Sequence, residues 1–279
     1  MKYLNILPLL KKFDLHPKKS LGQNFLVEPG ALQKVVNAAG VTSSDHVLEI
    51  GAGLGSLTYL LAQSAEEVVA VELDQNLIPA LREALAEFQN VRIIQGNMLE
   101  LKPEALMPVE AYLVVANIPY YITSALIRHL LEAQHKPARI VLTIQREVAE
   151  RICARDGKQS LLALSVQVFG KPEIATHISA GCFYPQPTVD SCVLTIALYL
   201  EPLIPEEDLD AFFTLAHAGF SQKRKTLRNA LSGGLGIPTE KGEELLRVAG
   251  VDSQRRAETL SLAEWGQLTR VWKGKNNQS

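Results

Sequence analysis

The stretch Asn117-Ile118-Pro119-Tyr120-Tyr121-Ile122 gathers a carboxamide, two carbonyls and two aromatic rings within six residues. Asn117 and the carbonyl of Ile118 can each accept a hydrogen bond from an exocyclic amino group. Pro119 fixes its own φ and brings no N–H to compete for those acceptors. Tyr120 offers a ring face on which a base can stack, worth about 1–3 kcal/mol. Alone, the stretch reads equally as a strand-to-helix turn punctuated by proline. Its surroundings favour chemistry. The apolar run 111–116 before it has the character of a buried parallel strand, and open α/β sheets bind ligands at the carboxyl ends of their strands.

Three further features have the same placement. Gly51-Ala52-Gly53-Leu54-Gly55 follows the short apolar segment Val47–Ile50 and precedes a helical pattern. Its spacing is G-x-G-x-G rather than the dinucleotide G-x-G-x-x-G, and it holds no Lys or Arg. Such a loop suits a carboxylate better than a pyrophosphate. Glu72 closes the next strand pattern, 67–72, where a carboxylate can accept from both hydroxyls of a ribose. Asn97 follows the third strand pattern, 91–95, where an acceptor can meet the amino group of adenine. An adenosine carrying an amino acid, S-adenosylmethionine, satisfies all three, and the joint pattern implies a methyltransferase fold.

The elements needed to hold these residues follow from periodicity. Helical patterns at about 28–39, 56–64, 74–88, 123–134 and 145–154 alternate with strands, with Asp74 a candidate helix cap. A fifth strand is expected at 139–144 and two more at 161–169 and 191–198, with no clear helix between these last two, so an antiparallel edge pair is predicted. Residues 1–20 read as an extension with a short helix. Pro202 and Pro205 in an acidic stretch mark a boundary. Helices at about 206–218, 221–231, 239–248 and 261–272 follow, the last with a Ser261/Glu264 capping box. The expected architecture is α/β: a doubly wound, Rossmann-like class I methyltransferase sheet over 21–201, then a small all-helical domain over 202–279.

The 279 residues carry a net charge of −2, but the charge is unevenly spread. Lys18 and Lys19 lie in a basic N-terminal segment, and Lys223, Arg224, Lys225 and Arg228 cluster with no acid nearby. Local basic patches on a neutral chain suit a protein that docks RNA, and these six residues are the candidate contacts; solvated helix faces are the plainer alternative. Cys153, Cys182 and Cys192 lack metal-ligand spacing, and no H-x-x-H or H-E-x-x-H occurs, so no metal is expected. The start lacks a signal-peptide pattern and no apolar run is long enough to span a bilayer. A cytoplasmic chain, off the membrane and monomeric, is expected.

From about Lys18 onwards the sequence resembles the small-subunit (16S) ribosomal RNA adenine dimethyltransferases. The resemblance rests on Leu21-Gly-Gln-Asn-Phe-Leu26, the glycine loop, Val71-Glu-Leu-Asp74, Ala116–Ile122 and Gln145–Arg151. It continues in Phe183–Ser191, Phe220–Asn229 and Arg256–Leu260. It implies S-adenosylmethionine contacts at Asn24, Leu26, Gly51, Glu72, Asn97 and Asn117. It also implies an adenine site formed by Asn117, Ile118, Pro119 and Tyr120, with Phe183 opposite. The implied reaction is dimethylation of N6 on two adjacent adenosines in the 3′-terminal hairpin loop of small-subunit rRNA, in the 30S precursor. Residue 97 departs from the family pattern, with Asn where Asp is expected; the acceptor remains and the charge is lost, so cofactor affinity is expected to be lower. Two rival readings are a large-subunit rRNA dimethyltransferase, which shares the N-x-P-Y chemistry, and a non-catalytic assembly factor that keeps the fold.

Overall fold

The computed structural model describes residues 2–155 and 157–276. In chain order the elements are α1 (Leu7–Lys12), β1 (Phe25–Leu26), α2 (Pro29–Ala39), β2 (His46–Ile50), α3 (Ser56–Ala62), β3 (Glu67–Glu72) and α4 (Ile78–Ala84). Then follow β4 (Val91–Gln95), α5 (Pro103–Leu106), β5 (Leu113–Asn117), α6 (Thr123–Leu131), β6 (Arg139–Gln145), α7 (Arg146–Ile152), α8 (Leu161–Gln167) and β7 (Gly170–Ile178). The last are β8 (Phe183–Tyr184), β9 (Ser191–Leu198), α9 (Leu209–Phe220), α10 (Leu227–Leu235), α11 (Thr239–Val248) and α12 (Leu262–Asn276).

Seven strands form one sheet in the order β4-β3-β2-β5-β6-β9-β7. β2 to β6 pair in parallel, and β9 runs antiparallel to β6. The central strands are apolar on both faces because both faces are covered. Val47, Val68, Val115, Val141 and Val193 pack with α2 and α3 in one cluster. Their neighbours of opposite parity, Leu48, Val69, Val114 and Ile140, are also fully buried. From β2 the chain winds outward to β3 and β4, then returns to β5 on the other side of β2. The strand order therefore reverses between β2 and β5, which places a crevice at their carboxyl ends.

Contacts divide the chain into two compact units. One extends to Ala149 and resumes over Lys171–Leu198; the other takes Glu150–Gly170 and the chain from Tyr199 onwards. The segment 150–170, which the sequence pattern kept with the sheet, thus clusters with the C-terminal helices. In this helical unit Trp265 is fully buried and stacks on Phe220 with ring centroids 5.9 Å apart. The capping box forms: the Glu264 carboxylate accepts from the Ser261 N–H at 2.7 Å, and the Glu264 N–H donates to Ser261 Oγ at 3.3 Å.

Four expectations are corrected. The segment 161–169 is mostly helix, not strand. Ser160 caps α8 by accepting from the Ala163 N–H, and a continuous apolar run does not distinguish buried helix from buried strand. The strand lies just beyond, in β7, whose exposed and buried positions alternate over most of its length. The strand expected at 111–116 is β5 and starts at Leu113, because Ala111 has φ +60 and breaks the extended run. Asp74 does not cap α4, which starts at Ile78 with no side-chain cap. Finally, α10 begins at Leu227, so Lys223, Arg224 and Lys225 lie in a turn rather than on a helix.

Candidate active site

A cavity of about 200 Å³ opens at the β2/β5 crevice, within the sheet-bearing unit. Its lining includes Gln23, Asn24, Gly51, Gly53, Glu72, Asn97, Met98, Asn117, Ile118, Pro119, Tyr120, Tyr121 and Phe183. Residues from four strand ends and the N-terminal segment, scattered over the sequence, therefore share one space.

Asn117 ends β5. Its Nδ2 donates to the carbonyl of Asn24 at 3.0 Å, which fixes the carboxamide and leaves Oδ1 accepting from no described residue. Pro119 and the left-handed Gly22 meet closely. A Cβ on Gly22, at φ +63, would come within 3.1 Å of Pro119 Cβ and 3.3 Å of the Tyr121 ring. Only glycine lets the N-terminal segment lie this near the motif. The Tyr120 hydroxyl lies 2.8 Å from Ser191 Oγ, holding the ring at the cavity wall, and burial raises its pKa. Tyr121 is 64% exposed. Phe183 is 4% exposed, pairs across to Leu26, and belongs to the α2/α3 apolar cluster while also lining the cavity.

Glu72 ends β3 and is buried. Its Oε2 accepts from the Gly53 N–H and its Oε1 from the Asp74 N–H, both at 2.7 Å. Burial raises its pKa despite these two bonds. The carboxylate is thus aimed by backbone, and each oxygen retains a lone pair for a ribose hydroxyl. A Cβ on Gly53, at φ +59, would stand 3.1 Å from the Phe25 ring, so only glycine lets the loop pack this closely on the N-terminal segment. A carboxylate at the end of one strand and an amide-lined glycine loop at the end of the next suit a nucleoside carrying an amino acid.

Asn97 is committed on both sides. Its Oδ1 accepts from the Leu99 N–H at 3.1 Å, and its Nδ2 donates to Glu100 Oε1 at 2.8 Å. The charge missing at 97 thus has a carboxylate three residues along, on Glu100.

Other sequence-selected residues fall outside the cavity. Leu26 is buried in the apolar cluster and lines only a small adjoining space. Lys18 is bound by Asp74, its Nζ 2.8 Å from Oδ1, whereas Lys19 is exposed. Lys223, Arg224 and Lys225 are exposed and in no ion pair with a described residue, while Arg228 pairs with Glu243 at 3.2 Å. Sequence reasoning missed Glu49, Gln23 and the side-chain role of Asp74. Glu49, in β2, is 1% exposed, and its Oε2 has no hydrogen-bond partner among the described residues; burial, opposed by Thr58 and reinforced by the neighbouring Glu72 charge, pushes it up to about 8. A charged residue inside an otherwise apolar strand was the available signal. Among the described residues no cluster of His, Cys, Asp or Glu could hold a metal, and no helix is long and apolar enough to cross a membrane.

The sheet order and the cavity at its switch point define a Rossmann-like methyltransferase fold. The chain is similar to Ribosomal RNA small subunit methyltransferase A of Dehalococcoides mccartyi (strain CBDB1), with 43% identity over 267 residues, 95% of this chain and 92% of the relative. Among solved structures it is similar to a dimethyladenosine transferase from Plasmodium falciparum (TM-score 0.76, 27% identity, 90% of this chain and 98% of that one). It is also similar to the 23S rRNA methyltransferase ErmE (TM-score 0.73, 26% identity, 90% and 100%). With residues 15–271 matching the model for Ribosomal RNA adenine dimethylase, the chain belongs to that family of methyltransferases.

Proposed function

We propose that this chain transfers methyl groups from S-adenosylmethionine to N6 of two adjacent adenosines in the 3′-terminal hairpin loop of small-subunit (16S) rRNA during ribosome biogenesis. The supporting observation is the Asn117 carboxamide, held by the Asn24 carbonyl with Oδ1 left free in the cavity that Glu72 and the glycine loop share. The 43% identity to a small-subunit enzyme favours this reading over a large-subunit target.

In this reading Glu72 accepts from the ribose hydroxyls, Gly51 and its neighbours face the amino-acid end, Asn24 lines that end, and Asn97 meets the adenine edge. The cofactor supplies an electrophilic methyl group. The N6 lone pair of the target base is delocalised into its ring, so it is a weak nucleophile. Asn117 Oδ1 and the Ile118 carbonyl accept the two N6 hydrogens and turn that lone pair out of the ring plane. Alignment of this kind contributes up to about 7–11 kcal/mol. Tyr120, held by Ser191, and Phe183 provide ring faces for a base that has left its stack. No Lys or His is needed, because the methylated nitrogen becomes acidic and releases its proton to water. Lys19, Lys223, Arg224, Lys225 and Arg228 grip phosphates, with the helical unit as the RNA-binding domain. The enzyme acts as a cytoplasmic monomer on the 30S precursor, without a metal.

Radiolabelled methyl transfer to undermethylated small subunits tests the proposal. Label on two adjacent adenosines of the 3′-terminal loop is expected. Binding without transfer would return the chain to the assembly-factor reading, and label on large subunits alone would overturn the substrate.

A further inference from the structure

Asp74 ends the Val-Glu-Leu-Asp block, and its side chain, 5% exposed, does more than accept the Asn76 N–H at 3.1 Å in the turn before α4. Both of its oxygens bind the N-terminal segment. Oδ1 takes the Lys18 ammonium at 2.8 Å, and Oδ2 takes Gln23 Nε2 at 3.0 Å. Gln23 in turn accepts from the Lys18 backbone N–H at 2.7 Å, closing a ring of three residues. Burial alone would raise the Asp74 pKa; the bonds from Lys18, Gln23 and the Asn76 N–H, with the Lys18 charge, together outweigh it, and the net shift is downward.

This ring connects the two halves of the site. The Asp74 main-chain N–H donates to Glu72 Oε1, the carboxylate assigned to the ribose. Gln23 is followed by Asn24, whose carbonyl receives Asn117 Nδ2. A continuous path of short bonds thus runs from Glu72 through Asp74 and Gln23 to Asn117. A carboxamide can present either its oxygen or its amino group to the cavity. The Asn24 carbonyl selects the oxygen, but only while the segment 18–25 is held in place.

We infer that Lys18, Gln23 and Asp74 form a latch that positions the Asn117 carboxamide for methyl transfer, and that Lys18 serves this latch rather than RNA. The inference rests on the role proposed for Asn117. Lys18 is the positioning residue most open to test, because it is half-exposed and can be replaced without opening the core. Its charge is neutralised by Asp74, so it contributes little to phosphate binding, whereas Lys19 beside it is exposed and has no ion-pair partner among the described residues.

The test uses the full chain with Lys18→Met, Asp74→Asn, the double variant, and Lys18→Arg. Misplacement of a reacting group by about 1 Å can cost a hundredfold in rate; partial loosening here is expected to slow methyl transfer about tenfold in each single variant. The double variant should be little slower than either single one, because one latch is lost in all three. Lys18→Arg keeps the charge and donors and should retain activity within about twofold. The direct readout is the side-chain NH2 signal of Asn117 in protein labelled with ¹⁵N-asparagine, assigned by its disappearance in Asn117→Ala. In Lys18→Met it should shift and exchange with solvent about tenfold faster, while the salt dependence of RNA binding stays that of the parent. An unchanged Asn117 signal in both single variants would overturn the latch. So would a flatter salt slope in Lys18→Met, which would put Lys18 on a phosphate. If Asn117→Ala itself transfers methyl groups normally, the proposed function fails, whatever the latch variants do.

Discussion

Glu49→Gln should stabilise the protein in a strongly pH-dependent way. Glu49 lies inside β2 with one oxygen unpartnered among the described residues, and burial pushes its carboxyl from about 4.5 to about 8. Below the ordinary carboxyl pKa, folded and unfolded chains both hold the proton, so Glu49 imposes no ionisation cost. Between about pH 4.5 and 8 the unfolded chain releases the proton and the folded chain keeps it, so stability falls as pH rises. Above pH 8 both forms are ionised and the cost is constant. At 1.36 kcal/mol per pH unit the interval amounts to about 5 kcal/mol, and relaxation around the ionised group should reduce it to about 3–5 kcal/mol. Glutamine is neutral throughout and close in shape to the protonated acid. Its advantage should therefore be near zero at pH 4, grow through pH 6, and reach its maximum near pH 8. At about 2–4 °C per kcal/mol, this corresponds to a difference in Tm of about 6–20 °C. Thermal melts of parent and variant at unit pH intervals from 4 to 9 measure it. A Tm difference that is flat with pH, or that shrinks as pH rises, would show that Glu49 is ionised in the folded chain.

Glu72→Ala removes a charged acceptor from the ribose position. Two bonds worth about 1.5–3 kcal/mol each correspond to a loss of at least about a hundredfold in S-adenosylmethionine affinity by calorimetry, and unchanged affinity would disprove the assignment. Asn97→Asp should give no gain in cofactor affinity on its own, because the new carboxylate faces Glu100 where Nδ2 now donates; with Glu100→Gln added, affinity should rise. A gain from the single substitution would mean that Glu100 is not its partner in solution. Neutralising Lys223, Arg224 and Lys225 together should weaken RNA binding and lower the slope of log K against log salt by about 0.7–0.9 per lost phosphate contact. Cofactor affinity should stay unchanged. Filter binding at several salt concentrations decides this, an unaltered slope making the turn an ordinary solvated surface.

The sheet was legible because its strands are buried on both faces and end in residues that break the apolar pattern: Gly51, Glu72 and Asn117. Each strand end marks a position at the crevice, so the cavity lining followed from the strand pattern and the switch-point rule. Periodicity failed at 161–169, where an apolar run without alternation carries no information on helix or strand and the deciding signal was the single cap at Ser160. Polar partners were equally hidden. Lys18 reads as a basic surface residue until Asp74, 56 positions away, is seen beside it. Asn97 reads as a weakened Asp until Glu100 is placed against it. Local charge composition cannot distinguish a cation that faces solvent from one that closes a buried bond.

The central claim is that Asn117 orients N6 for methyl transfer while RNA affinity comes from phosphate contacts elsewhere. The most direct measurement is single-turnover methyl transfer by Asn117→Ala on undermethylated small subunits, with filter binding to the same subunits alongside. Transfer should fall by at least about a hundredfold, with RNA affinity within about twofold of the parent. Transfer near the parent rate would contradict it.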